Sequence, residues 1–142
     1  MFTTDDINAG GYFDPDRKTI ILKADADVAN FDPDYTVARN LVHELGHVFD
    51  KKVFNANSMT PLSKTADFKR IYEKEKNHIS DINTNNGYAK KSAEEFFAEV
   101  FKSMFSPDSR DRKAKEYRDA IRKEAPEAVK FIEDILKKNG YL

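Results

Sequence analysis

At 142 residues the chain is long enough for one domain with a single core. Charged residues make up 35% at a net charge of −1, with no basic tract, so no nucleic-acid partner is expected. Cysteine is absent, which excludes disulfides, thiol nucleophiles and thiolate metal ligands. No apolar run reaches membrane-spanning length, so no membrane span is expected, and the N-terminus shows no signal-peptide pattern.

Residues 1–9 read as a polar lead-in. Gly10 to Asp14 and Thr19 to Lys23 are β-prone runs flanking the turn-forming stretch Asp14 to Lys18, which predicts a β-hairpin with Ile20, Ile21 and Leu22 as its apolar arm. Asp32 suits a helix N-cap and Pro33 the first helical position. Val37, Leu41, Val42, Leu45, Val48 and Phe49 then recur at helical period, so a helix is predicted from about Pro33 to Lys51.

That helix carries His43-Glu44-Leu45-Gly46-His47, an H-E-x-x-H pattern. Histidines at i and i+4 share one helix face, so both rings can reach one metal ion. Glu44 projects from an adjacent part of that face and could touch a metal-bound water without binding the metal.

Lys52 to Leu62 reads as a loop. From Ser63 to about Asn77 a second helix is predicted, capped by Ser63 or Thr65, with Ala66, Phe68, Ile71 and Tyr72 facing inward. His78 to Lys91 is polar and reads as a long loop, of the kind that often carries function. Ser92 opens a deeply apolar helix, Ala93 to about Phe105, with Phe96, Phe97, Val100, Phe101, Met104 and Phe105 in the core. Ser109 to Glu124 reads as a solvated amphipathic helix, with Ala114, Tyr117 and Ile121 on one face. Pro126 starts a last helix, with Val129, Phe131, Ile132, Ile135 and Leu136 inward, and Gly140 closes it.

A catalytic zinc needs a third protein ligand and an open position for water. The six residues after His47 are Val48 to Val53 and contain neither Gly nor His, which excludes the metzincin pattern. His78 reads most simply as a solvated surface residue. Glu95 and Glu99, at i and i+4 among core phenylalanines, fit the gluzincin arrangement, in which a later helix supplies a glutamate. Glu95 would bind the metal while Glu99 accepts an N–H from His43 or His47 and so fixes its tautomer. Two alternatives stay open: that Ser92 and Glu95 form an ordinary capping box, and that Glu94 is the ligand.

From about Gly10 onward the chain resembles the anthrax-lethal-factor-like metallopeptidase domain, the family of the lethal factor catalytic domain and the secreted Pro-Pro endopeptidases. The resemblance rests on His43 to Asp50, on Tyr88, and on Ala93 to Phe101. A tyrosine seven residues before the ligand glutamate, followed by E-F-F-A-E, is much more specific than H-E-x-x-H alone. It implies one zinc ion per chain held by His43, His47 and Glu95, with Glu44 as general base and Tyr88 as a transition-state donor. Glu99 and Asp50 would be outer partners of the ligands. Without the resemblance, Tyr88 reads as a half-buried loop aromatic.

The fold expected on this basis is α+β and zincin-like: one domain over 1–142, mostly helical, with a small N-terminal hairpin or sheet packed on the H-E-x-x-H helix. The activity expected is metalloendopeptidase hydrolysis of a peptide or protein, with the substrate extended along a hairpin strand. A secreted, toxin-like setting follows from the resemblance alone, and leaves room for delivery or targeting domains in a longer parent protein. Competing readings are an effector protease domain of such a parent, a zinc-bound but non-catalytic peptide-binding module, and a helical interaction protein with structural residues at these positions.

Overall fold

The computed structural model describes residues 11–14, 19–22, 36–53, 60–79, 87–106 and 114–141. Strands β1 (Gly11–Asp14) and β2 (Thr19–Leu22) pair antiparallel, Gly11 opposite Leu22 and Asp14 opposite Thr19. Helix α1 (Thr36–Val48) runs into a widened π turn, Phe49–Val53. A 3₁₀ turn, Leu62–Lys64, leads into α2 (Ala66–Glu75), which tightens into another at Lys76–His78. A further 3₁₀ turn, Tyr88–Lys90, precedes α3 (Ala93–Phe105), α4 (Ala114–Glu124) and α5 (Pro126–Lys138).

The α+β, zincin-like expectation is corrected by this architecture. Among the described residues the core is built by helices. The β component is one pair of four-residue strands, too small to form a layer against which helices could pack. Local β propensity at residues 10–23 says nothing about how many further strands join, and here the described chain continues as helix.

Helix α3 occupies the centre. Residues Phe96 to Met104 are buried without a break, as expected of a helix enclosed on all sides. Around it, Phe68 of α2 packs its ring 5.8 Å from Phe96, 5.3 Å from Phe97 and 5.1 Å from Phe131 of α5. Phe49, at the end of the metal-motif helix, stacks on Phe101 at 5.0 Å. Each such pair contributes about 0.5–1.5 kcal/mol beyond its buried area.

Caps and clamps fix the ends of these helices. The predicted N-cap at Asp32 and first turn at Pro33 lie outside the described residues, as do residues 15–18 of the hairpin turn and 107–113 ahead of α4. Thr65, not Ser63, caps α2 through the Phe68 N–H. Phe68, Ile71 and Tyr72 are buried as expected, but with the helix starting there Ala66 is exposed and Glu75 joins the buried face. Helix α5 begins behind Ala125, which has no capping oxygen. The buried Glu75 carboxylate of α2 takes that place, accepting the N–H groups of Glu127 at 3.1 Å and Ala128 at 2.9 Å. Gly140, at φ +78°, ends the helix in the left-handed conformation. No helix among the described residues is long and apolar enough to cross a membrane.

Candidate metal centre

Helices α1 and α3 lie unusually close, and Gly46 is the reason. A Cβ at this position would stand 2.9 Å from the Ala98 Cα, 3.1 Å from the Phe101 Cβ and 3.3 Å from the Ala98 carbonyl oxygen. The glycine inside H-E-L-G-H therefore lets the backbone of α1 rest on the backbone of α3. His43, about one turn before Gly46, and His47, the residue after it, face the first turn of α3.

That first turn presents Glu95. The His43 Nε2 lies 3.0 Å from one Glu95 oxygen and the His47 Nε2 3.4 Å from the other. The two imidazoles meet edge to face, with centroids 4.8 Å apart. One ligand atom from each of His43, His47 and Glu95 lies within 4.8 Å of the others. The Ser92 hydroxyl does accept the Glu95 N–H, at 3.1 Å, so the helix is capped as the plain alternative required. The Glu95 carboxylate, however, lies on the two histidines. Capping and site geometry coexist because they use different atoms of Glu95.

The donor set fits zinc. Two imidazole nitrogens and a carboxylate oxygen are borderline-to-hard ligands suited to that ion. Neighbouring ligand atoms on a zinc tetrahedron are about 3.4 Å apart, given bonds of about 2.0–2.2 Å. The two histidines reach different Glu95 oxygens, at 3.0 and 3.4 Å, so the three groups already stand near the spacing that one ion requires. Glu95 is half-buried and keeps a quarter of its side chain accessible, so the group opens to solvent on one side.

Glu44 is exposed, beside His43 on the open side of α1. Glu99, one turn beyond Glu95, is 1% exposed. It belongs to His43 of the two histidines: its Oε1 lies 3.7 Å from the His43 Nδ1, and its Oε2 meets the Lys102 ammonium. Burial on its own would depress the His43 imidazole. The neighbouring Glu99 carboxylate, with the charges of Glu95 and Glu44, outweighs burial and raises its pKa above the ordinary histidine value.

Asp50, fully buried in the π turn, binds Ser63: the Ser63 N–H donates to Oδ1 at 2.7 Å and its hydroxyl to Oδ2 at 2.6 Å. The clamp ties the end of α1 to the 3₁₀ turn ahead of α2. Burial raises the Asp50 pKa, against the opposing pull of the two Ser63 hydrogen bonds. Glu94, weighed as an alternative ligand, instead faces two lysines, Lys64 at 3.4 Å and Lys51 at 3.7 Å. His78 is exposed, as a surface residue should be.

The Tyr88 backbone opens the 3₁₀ turn ahead of α3; its side chain lies outside what the structure describes. The turn itself is well anchored. The Lys90 N–H donates to the Gly87 carbonyl at 3.0 Å, Gly87 sits at φ +83°, and the Tyr72 hydroxyl donates to the Lys90 carbonyl at 2.7 Å.

Three participants escaped the sequence reading: Gly46, Lys102 and Ser63. Lys102 did leave a signal, being the lone cation of α3, three residues past Glu99 and flanked by core phenylalanines and methionine. Gly46 and Ser63 act through the approach of separate elements and left none.

Comparison with known proteins places the chain in a family. Over 134 residues the chain is 24% identical to "Lethal factor" of Bacillus anthracis, an alignment spanning 92% of this chain and 15% of that protein. The family described as "Anthrax toxin lethal factor, N- and C-terminal domain" matches residues 13–135, which include both site helices. The chain therefore belongs to the anthrax toxin lethal factor family.

Proposed function

We propose that residues 1–142 form one zinc-dependent endopeptidase domain. The observation that carries this reading is the convergence of His43, His47 and Glu95 from two helices, with an exposed glutamate next to the first histidine. His43, His47 and Glu95 would hold the ion. When bound, zinc supplies Lewis acidity, acidifying a water molecule and polarising a carbonyl. Glu44 takes the proton of the attacking water and hands it to the leaving amine. Its exposure leaves it free to meet both water and substrate. Tyr88, held on the anchored turn ahead of α3, donates to the oxyanion that develops on the scissile carbonyl. Glu99 accepts the His43 Nδ1–H and leaves Nε2 directed at the metal position.

The substrate in this proposal is a peptide or protein. Because the chain spans 15% of lethal factor, delivery or targeting would fall to other domains. An extracellular, toxin-related setting is part of the proposal and rests on that kinship.

The test is elemental analysis combined with peptide cleavage. Purified protein should carry about one zinc per chain. Glu44→Ala should keep the zinc and lose cleavage, and Glu95→Ala should lose both. Absence of tightly bound zinc from the unmutated protein overturns the reading. Loss of metal from Glu44→Ala with retention in Glu95→Ala overturns the assignment of roles.

A further inference from the structure

Lysine is rarely buried, and Lys102 is only 9% exposed, inside the central helix. Its ammonium is engaged by Glu99 Oε2, three residues earlier. A buried pair of this kind contributes little net stability, because desolvating both charges offsets their attraction. The arrangement has a more specific consequence at the other Glu99 oxygen. That oxygen, Oε1, faces the His43 Nδ1 at 3.7 Å, while the His43 Nε2 faces Glu95. Lys102, Glu99 and His43 thus form a chain in which each contact uses a different atom of the group in the middle.

A carboxylate one turn from Glu95 is repelled by it, and two unpartnered side-chain torsions would let Glu99 turn away from His43. Lys102 counters both effects. It places a positive charge on the far side of Glu99, and it holds one oxygen so that the other stays on the imidazole. Among the described residues neither Glu99 oxygen takes a hydrogen bond, so the ion pair with the Lys102 ammonium is the close contact that holds the carboxylate. Ser106 and Arg118 steady the backbone there: the Ser106 hydroxyl donates to the Lys102 carbonyl at 2.7 Å, and Arg118 to the Ser106 carbonyl at 3.2 Å.

We propose that Lys102 is a positioning residue of the metal centre, setting the Glu99 carboxylate so that His43 presents Nε2 to zinc. The proposal rests on the metal-centre reading given above.

The experiment is zinc affinity by chelator competition on the full chain, with thermal melting of the metal-free protein and ¹⁵N spectra of the His43 ring in the zinc-loaded form. Lys102→Met keeps length and apolar packing and removes the charge. It should weaken zinc binding about 10–100-fold, and partly unfix the Nδ1–H tautomer of His43. Lys102→Arg should restore affinity to within about threefold, since it returns a cation to the same helix position. If Lys102→Met does not fold, Glu99→Gln is compared with Glu99→Gln/Lys102→Met. Acting through Glu99, the second substitution should add less than about threefold to the loss. Unchanged affinity in Lys102→Met, or a full additive loss in the double variant, overturns the role of Lys102 while leaving the metal centre intact. Failure of the unmutated chain to bind zinc overturns the metal-centre reading itself, and the proposal with it.

Discussion

Gly46→Ala separates stability from site geometry. Alanine is the better helix former by about 0.5–1 kcal/mol, so in an isolated helix the change would stabilise. Here the new Cβ would sit 2.9 Å from the Ala98 Cα, roughly half an ångström inside ordinary contact. The obstructing atoms are the Ala98 backbone and the Phe101 Cβ, none of which a rotamer change moves, so α1 must move away from α3. Overpacking of this kind costs about 1–3 kcal/mol, leaving a net destabilisation of about 0–2 kcal/mol. The site is less forgiving. Zinc–ligand distances tolerate only about 0.2 Å, and a half-ångström shift of α1 pulls both histidines from Glu95 together. Zinc affinity should therefore fall about tenfold or more while the melting temperature drops by no more than about 7 °C. Ala98→Gly should not rescue the variant, because the clash is with the Ala98 Cα and carbonyl and not with its methyl group. Chelator competition and thermal melting of the two variants decide the matter. A Gly46→Ala protein that melts higher and binds zinc like the parent would refute the claim that backbone contact at Gly46 sets the centre.

Tyr88→Phe tests the proposed oxyanion donor: kcat should fall about 10²–10³-fold with KM and zinc content nearly unchanged, and a loss below about threefold with chemistry rate-limiting removes the tyrosine from the mechanism. Asp50→Ala leaves the Ser63 N–H and hydroxyl without their acceptor and should cost about 1–3 kcal/mol in denaturant melts. Asp50→Asn keeps an acceptor for the Ser63 N–H and removes a buried charge. Because the folded pKa of Asp50 is raised, the folded state holds its proton more tightly, and stability is lost as pH rises from the unfolded value through the raised one. The Asn variant should lack this loss, so its stability relative to the parent should be greatest near neutrality and shrink on acidification; a constant difference across pH would contradict the shift. Glu75→Ala strips two N–H groups of α5 of their acceptor and should cost about 1–3 kcal/mol, with Glu75→Gln costing less; equal losses in urea melts would mean the carboxylate charge, not its two acceptors, does the capping.

What could be read from the sequence was local. The span of α3 follows from Ser92 and the run of phenylalanines, and the start of α5 from Pro126. The approach of His43 to His47 follows from helical period alone. Helix α2 shows how narrow that legibility is. Choosing between Ser63 and Thr65 as its cap decides whether Ala66 faces the core, and Ser63 instead lies within the 3₁₀ turn with its N–H and hydroxyl donating to Asp50, 13 residues earlier. The fold class failed for the same reason at larger scale. Two short β-prone runs pair with each other, and nothing within them reveals that the described remainder is helical.

The site joins these two kinds of information. Its ligand types are written in residues at fixed spacing, i and i+4 on α1 and i and i+4 on α3, and spacing within a helix is rigid. How the site is set is decided elsewhere, by a glycine with no side chain to notice and by a lysine that looks like surface. Gly46 sets how near the helices come, and Lys102 sets which oxygen of Glu99 His43 encounters. Neither residue carries the chemistry proposed for this centre. A search for H-E-x-x-H and a later E-x-x-x-E would accept a chain in which both had been replaced. Such a chain would keep every ligand and bind zinc poorly. Gly46→Ala/Lys102→Met should then lose more affinity than either single change, since the two act on different coordinates of the same site.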